Sequence, residues 1–134
     1  MNEIVVGMGE ALWDVLPEGK KIGGAPANFA YHVSQFGFPS CVVSAIGDDA
    51  LGKEIIEENI RRMCYTLRMM FVDLIDQLIA EVPYPTGTVQ VEIDQTGIPL
   101  YDIKENVAWD NIPYTEHLDA LAKRTKAVCF GSLA

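Results

Sequence analysis

Apolar positions along the chain follow three patterns, and each predicts an element. Ile4-Val5-Val6, running into Gly7-Met8-Gly9, and Cys41-Val42-Val43-Ser44-Ala45-Ile46, closed by Gly47, are short and almost continuously apolar. Runs of that length bounded by glycine read as buried strands. Between them, Gly23-Gly24-Ala25-Pro26-Ala27-Asn28 opens a helical pattern in which Phe29, Ala30, Val33 and Phe36 share one face. Gly37 ends it, as a left-handed glycine ends a helix. From Ala50 to Val82, Ile56, Ile60, Met63, Leu67, Phe71, Leu74, Leu78 and Val82 recur every three or four residues, which predicts one long helix. Its methionines read as flexible core packing rather than as a ligand surface. The period then drops to two. Thr88 to Asp94 alternates polar and apolar, Gln95-Thr96-Gly97 makes a turn, and Ile98 to Ile103 returns as the partner of a hairpin with one wet face. A last helix, about 115–125, leads into the buried strand Ala127-Val128-Cys129-Phe130-Gly131. This order predicts an α/β fold: a partial parallel sheet flanked by helices, with a small antiparallel β element. Because the last strand ends the chain, the expectation is an unfinished sheet with an apolar face, an open edge and poor stability in isolation.

Composition narrows the partners. With 134 residues, 49% of them apolar, the chain can bury one core and not two. A net charge of −9 argues against nucleic acid and against anionic membrane surfaces as partners. No apolar run is long enough for a membrane span, and Met1 to Val6 lacks the basic start of a secretory signal. Cys41, Cys64 and Cys129 are isolated and odd in number, so they read as reduced packing residues of a cytoplasmic protein, with no disulfide and no zinc site. His32 and His117 read as ordinary helix residues. Asp48-Asp49 reads as a helix start rather than a metal site, because a carboxylate there accepts free backbone amides and suits the helix dipole.

Two candidate motifs give opposite answers. Gly7-Met8-Gly9 follows a strand, but a dinucleotide fingerprint needs a third glycine where this chain has Leu12, and no P-loop lysine motif occurs. The stretch from Gly23 to Gly47 is far more specific: Gly-Gly-Ala-Pro-Ala-Asn-Phe-Ala, six residues, Gly37, nine residues, Gly47. It resembles the N-terminal signature of the ribokinase-like (PfkB) carbohydrate kinases. Gly9-Glu10-Ala11-Leu12-Trp13-Asp14, the Gly47-Asp48-Asp49 turn with Gly52, and Pro85-Thr86-Gly87-Thr88-Val89 extend the likeness over most of the chain, toward the fructokinase-type branch.

The resemblance implies a ribokinase-like fold, ATP-dependent phosphorylation of a fructose-like sugar hydroxyl, and use of ATP and Mg2+ by the full-length enzyme. Carried over by motif position, Asp14, Gly23, Gly24 and Asn28 are the expected sugar contacts. The chemistry suits them: an ionised Asp14 accepts from two neighbouring hydroxyls, the Asn28 amide both donates and accepts, and a double glycine lets a ligand approach the backbone. Taken singly, the same residues also read as a turn-stabilising Asp, a strained loop and an N-cap Asn. The hairpin, about 86–104, corresponds to the family's lid, which covers the sugar, excludes water and often makes a homodimer contact. Gln90 and Tyr101 are its expected sugar-facing residues.

Two departures from the family stand beside the likeness. The family's Gly-Ala-Gly-Asp motif, which supplies an anion hole and the base, is absent, so no catalytic residue is assigned and this chain by itself is expected not to turn over. The glycine-free stretch Asn59 to Ile79 also replaces the loop and short strand that family members place there. The chain therefore reads as residues 1–134 of a single kinase domain, its N-terminal portion. Phosphorylation of ribose, a nucleoside or 2-keto-3-deoxygluconate stays open, as does a non-catalytic sugar-binding or dimerisation module.

Overall fold

The computed structural model describes residues 3–67 and 78–133, the side chains of 59–67 excepted. Four parallel strands form the main sheet: β1 (Ile4–Met8), β4 (Ser40–Gly47), β5 (Ile79–Val82) and β8 (Thr125–Phe130), in the order β5-β4-β1-β8. Successive residues of β4 go to opposite faces. Val42 joins a core with Ala27, Ala30, Ile46, Ile55 and Ile79, under helices α1 (Ala25–Gln35) and α2 (Ala50–Leu67). Val43 joins a second core with Ile4, Val6, Leu78 and Leu121, under helix α3 (Glu116–Ala122). Burial on both faces is why these strands carry near-continuous apolar runs.

The helix ends follow from local chemistry. Gly37 takes φ +82 just past α1, and its N–H donates to the Ser34 carbonyl. Asp49 accepts from the Gly52 N–H at 2.7 Å, the N-cap bond that opens α2, and the Thr115 hydroxyl accepts from the Leu118 N–H to open α3. α1 lies close on β1, since a Cβ at Gly7 would stand 2.0 Å from the Pro26 carbonyl oxygen.

One element differs from the sequence reading. The apolar stripe from Ala50 to Val82 is not one helix, because α2 is followed by β5, paired in parallel with β4 from Ser44↔Ile79 to Gly47↔Val82. Leu78 and Ile79 enter opposite cores, which is the period of a strand. Pairing with β4 overrides the helical spacing of those last residues, and the short strand expected to be missing is present. The middle of the stripe, from Arg68 to Gln77, lies outside the described residues.

The hairpin forms as expected, from β6 (Thr88–Ile93) and β7 (Pro99–Ile103), with Asp94 Oδ1 accepting from the Thr96 and Ile98 amides in the turn. It belongs to a larger four-stranded sheet. β2 (Leu12–Leu16) and β3 (Gly19–Gly23) make a second hairpin, and β2 pairs with β6 in parallel, giving the order β3-β2-β6-β7. A 3-10 turn, Ala108–Asn111, buries Trp109 against Gly87, and the Ala108 N–H donates to the Pro85 carbonyl.

This second sheet is fastened to the first turns of α2. Trp13, on β2, is buried in the α1/α2 core and donates from Nε1 to the Leu51 carbonyl at 3.0 Å. Lys20, on β3, pairs with Glu54 and lies 4.8 Å over the Trp13 ring. Trp13→Phe keeps most of the packing and removes the donor. Urea unfolding of the variant should show a loss of about 1–2 kcal/mol, because the Leu51 carbonyl loses its partner.

β8 is an edge strand with Val128 and Phe130 exposed, and beside it runs an apolar groove of about 440 Å³ lined by Val6, Met8, Val43, Leu118, Leu121 and Val128. The open edge and apolar face expected from the sequence are both present.

Candidate sugar site

Asp14 sits mid-β2 on the face it shares with Leu12, Val89 and Val91, of which all but Asp14 are buried. Its carboxylate rests against Gly23, where an added Cβ would stand 2.3 Å from Oδ2. Gly24 follows at φ +105 as the N-cap of α1, its Cα pressed on the backbone of Glu10 and Ala11. No side chain among the described residues caps α1, whose first turn carries the N–H groups of Ala25 and Ala27, Pro26 having none. Asn28 stands in that turn with its side chain exposed and its N–H donating to the Gly24 carbonyl. Asp14, Gly23, Gly24 and Asn28 thus form one continuous stretch of contacts, and the N-cap role that Asn28 has in isolation belongs to Gly24. Burial pushes the Asp14 carboxyl above its ordinary range.

Strand register divides the two lid residues. Val89 lies opposite Asp14 on one side and Ile103 on the other, and Val91 lies opposite Tyr101, so Tyr101 shares the Asp14 face. Gln90 pairs with Val15 and Asp102 and projects to the other face, exposed. Gln90 and Tyr101, both expected on the sugar side, thus project to opposite faces of the hairpin, since strand period sends neighbours apart. Tyr101, Ile103 and Ile93 leave an exposed apolar strip on the Asp14 face of the hairpin.

Two features were not anticipated. Asp49 does more than cap α2: its Oδ2 accepts from the Thr86 N–H at 2.9 Å and its Oδ1 from the Thr86 hydroxyl at 2.6 Å, while that hydroxyl accepts from the Gly47 N–H at 2.9 Å. The second is Glu10, buried at the carboxyl end of β1 with only 3% of its surface exposed and Oε2 without a hydrogen-bond partner among the described residues. The signal for both was in plain view: a carboxylate inside each glycine motif. Among the described residues, no group of three His, Cys, Asp or Glu is placed to hold a metal ion, and no helix is long and apolar enough to cross a membrane.

No family model matches the chain. A fructokinase of Klebsiella pneumoniae is 33% identical over 102 residues, 72% of this chain and 30% of the relative. The solved sugar kinase of Pyrococcus horikoshii superposes with a TM-score of 0.73 at 26% identity, over 97% of this chain and 45% of that one, and it has also been solved in complex with ATP. The chain belongs to the ribokinase-like (PfkB) carbohydrate kinases. A Xylella fastidiosa fructokinase with bound ATP shares the fold at a TM-score of 0.74 and 23% identity, covering 97% of this chain and 39% of its own. The PfkB chain described here spans about a third of the length of the curated relatives it matches.

Proposed function

We propose that this PfkB chain is the sugar-binding, N-terminal portion of an ATP-dependent carbohydrate kinase domain, with a fructose-like substrate and a cytoplasmic setting. The observation that supports it is the Asp14 carboxylate held against Gly23, beside the uncapped first turn of α1 and Asn28. Two hydroxyls of a ring are held by Asp14, backbone amides of α1 take a ring oxygen, and Asn28 supplies a donor and an acceptor. Tyr101, on the Asp14 face, closes over the bound sugar and keeps water from competing as acceptor. The exposed strip of Ile93, Tyr101 and Ile103 also suits a homodimer contact through the lid. ATP and Mg2+ belong to the full-length enzyme in this reading, in keeping with the sugar kinase of Pyrococcus horikoshii solved in complex with ATP, and the part assigned to this chain is sugar binding.

Calorimetric titration tests this. Fructose is expected to bind, with ribose and 2-keto-3-deoxygluconate titrated in parallel to rank the alternatives. Asp14→Ala should weaken binding at least about tenfold, the loss of hydrogen bonds to a charged acceptor. Binding should also fade with acidification at a higher pH than an ordinary carboxylate would give, because the raised Asp14 protonates early and a protonated acid loses acceptor capacity. Heat with none of these sugars, or binding indifferent to Asp14→Ala, removes the reading. ADP release by this chain alone from ATP, Mg2+ and sugar would overturn its purely binding role.

A further inference from the structure

The chemistry of Glu10 is not absorbed by the site built around Asp14. Its side chain is almost wholly buried, yet Oε2 has no hydrogen-bond partner among the described residues. A desolvated carboxylate oxygen without a donor is destabilising, and most buried polar atoms avoid it. Its position has its own meaning. In the order β5-β4-β1-β8, the chain leaves β1 toward neighbours on both sides, and ligands of open α/β sheets bind at the carboxyl ends of strands where the order reverses. Glu10 stands at that point. Its carbonyl is packed on Gly24, and its carboxylate faces Gly131, where an added Cβ would sit 3.6 and 3.8 Å from the two oxygens. Glycine at 131 leaves that approach free of a side chain.

We propose that Glu10 is a second sugar-binding carboxylate, whose Oε2 accepts a hydrogen bond from one hydroxyl of the substrate. The inference rests on the sugar-kinase reading above and adds a residue that decides which hydroxyl pattern binds. A cation is the less suitable occupant, since a single carboxylate supplies too few ligands and no cluster of three metal-ligating side chains occurs among the described residues. The unsatisfied oxygen is tolerated in the empty site because a bound hydroxyl satisfies it, a trade of stability for function.

The test is a hydroxyl-deletion cycle. Fructose and a set of its monodeoxy analogues are titrated into the wild-type chain, Glu10→Gln and Glu10→Met. The wild type should lose about tenfold in affinity for the one analogue lacking the contacted hydroxyl. Glu10→Met should bind fructose more weakly by a similar factor and no longer distinguish that analogue from fructose, whereas Glu10→Gln, which keeps one amide oxygen as acceptor, should lose only part of the discrimination. Glu10→Met should also melt at or above the wild-type temperature without sugar, because a buried polar atom without a partner has been removed. Deoxy penalties unchanged in the variants, or melting well below wild type in both, would overturn the proposal and make Glu10 a structural residue. A rise in wild-type melting with K+ or Na+ that the variants lack would overturn it in favour of a cation. A wild-type chain that binds no sugar fails the kinase reading and this inference together, whereas sugar binding abolished by Asp14→Ala with an unaltered Glu10 cycle fails this inference alone.

Discussion

Gly24→Ala is expected to leave a chain that melts at least about 10 °C lower, a loss of roughly 3 kcal/mol or more. Two penalties coincide there. The backbone is held at φ +105, which a side chain resists, and the new Cβ would stand 2.1 Å from the Glu10 carbonyl oxygen. That neighbour is backbone and has no rotamer with which to yield. Gly19→Ala is the control, since Gly19 has a similarly positive φ of +136 but open space around its missing Cβ. Circular dichroism melts of the two variants separate strain from collision. Equal, small losses would mean that the loop relaxes freely and that the close contact between Gly24 and Glu10 does not matter. Sugar affinity should fall with Gly24→Ala even where the protein remains folded, because Gly24 sets where the first turn of α1 begins.

Asp49→Ala should cost about 2–4 kcal/mol in urea unfolding, more than an ordinary helix cap. The carboxylate accepts three hydrogen bonds, one from the start of α2 and two from Thr86, so its removal also strands the Thr86 amide and hydroxyl. With Asp49 in place, Thr86→Ser should retain more stability than Thr86→Val, because it keeps the hydroxyl that bridges Asp49 and the Gly47 N–H. The pH dependence has a definite sign. Burial raises the Asp49 carboxyl, but the Thr86 hydroxyl and amide, the Gly52 amide and Lys53 together pull it below its ordinary value. A carboxylate lowered in the folded state stabilises the fold above its unfolded pKa, and that contribution disappears as pH falls through the lowered folded value. Acid unfolding of the wild type should therefore steepen below about pH 4, and Asp49→Ala should flatten that limb. Parallel acid limbs in the two proteins would mean that the bonds to Thr86 contribute little.

How much of this was legible depends on where the information is local. The strands Ile4–Met8 and Ser40–Gly47, helix α1 with its Gly37 stop, the Asp49 cap and the 88–103 hairpin are each written in a few consecutive residues, and all stand as the pattern predicts. β5 was hidden because Ile79 and Val82 also fit a helical spacing, and only the neighbouring strand β4 decides between the two periods. The β2–β3 hairpin went unread since its inward residues, Leu12 and Trp13, serve different cores on opposite faces. Within the site, Asp14, Gly23, Gly24 and Asn28 were reachable from the motif. The facing of Gln90 and Tyr101 was not, because it turns on a register that the hairpin sequence alone leaves open by one residue. Glu10 stands inside a glycine motif, but its unpaired oxygen is a property of the packed interior and has no sequence pattern of its own.

The parallel junction of β2 with β6 has a kinetic consequence. Antiparallel hairpins close with short loops, but this pair joins segments far apart in sequence, with β3, α1, β4, α2 and β5 intervening. Closing so large a loop carries an entropic penalty that must be met before the contact forms, and such non-local pairings slow folding. The β3-β2-β6-β7 sheet should thus assemble after a nucleus of β1, α1 and β4, so hydrogen-exchange protection should be weaker in β6 and β7 than in β4.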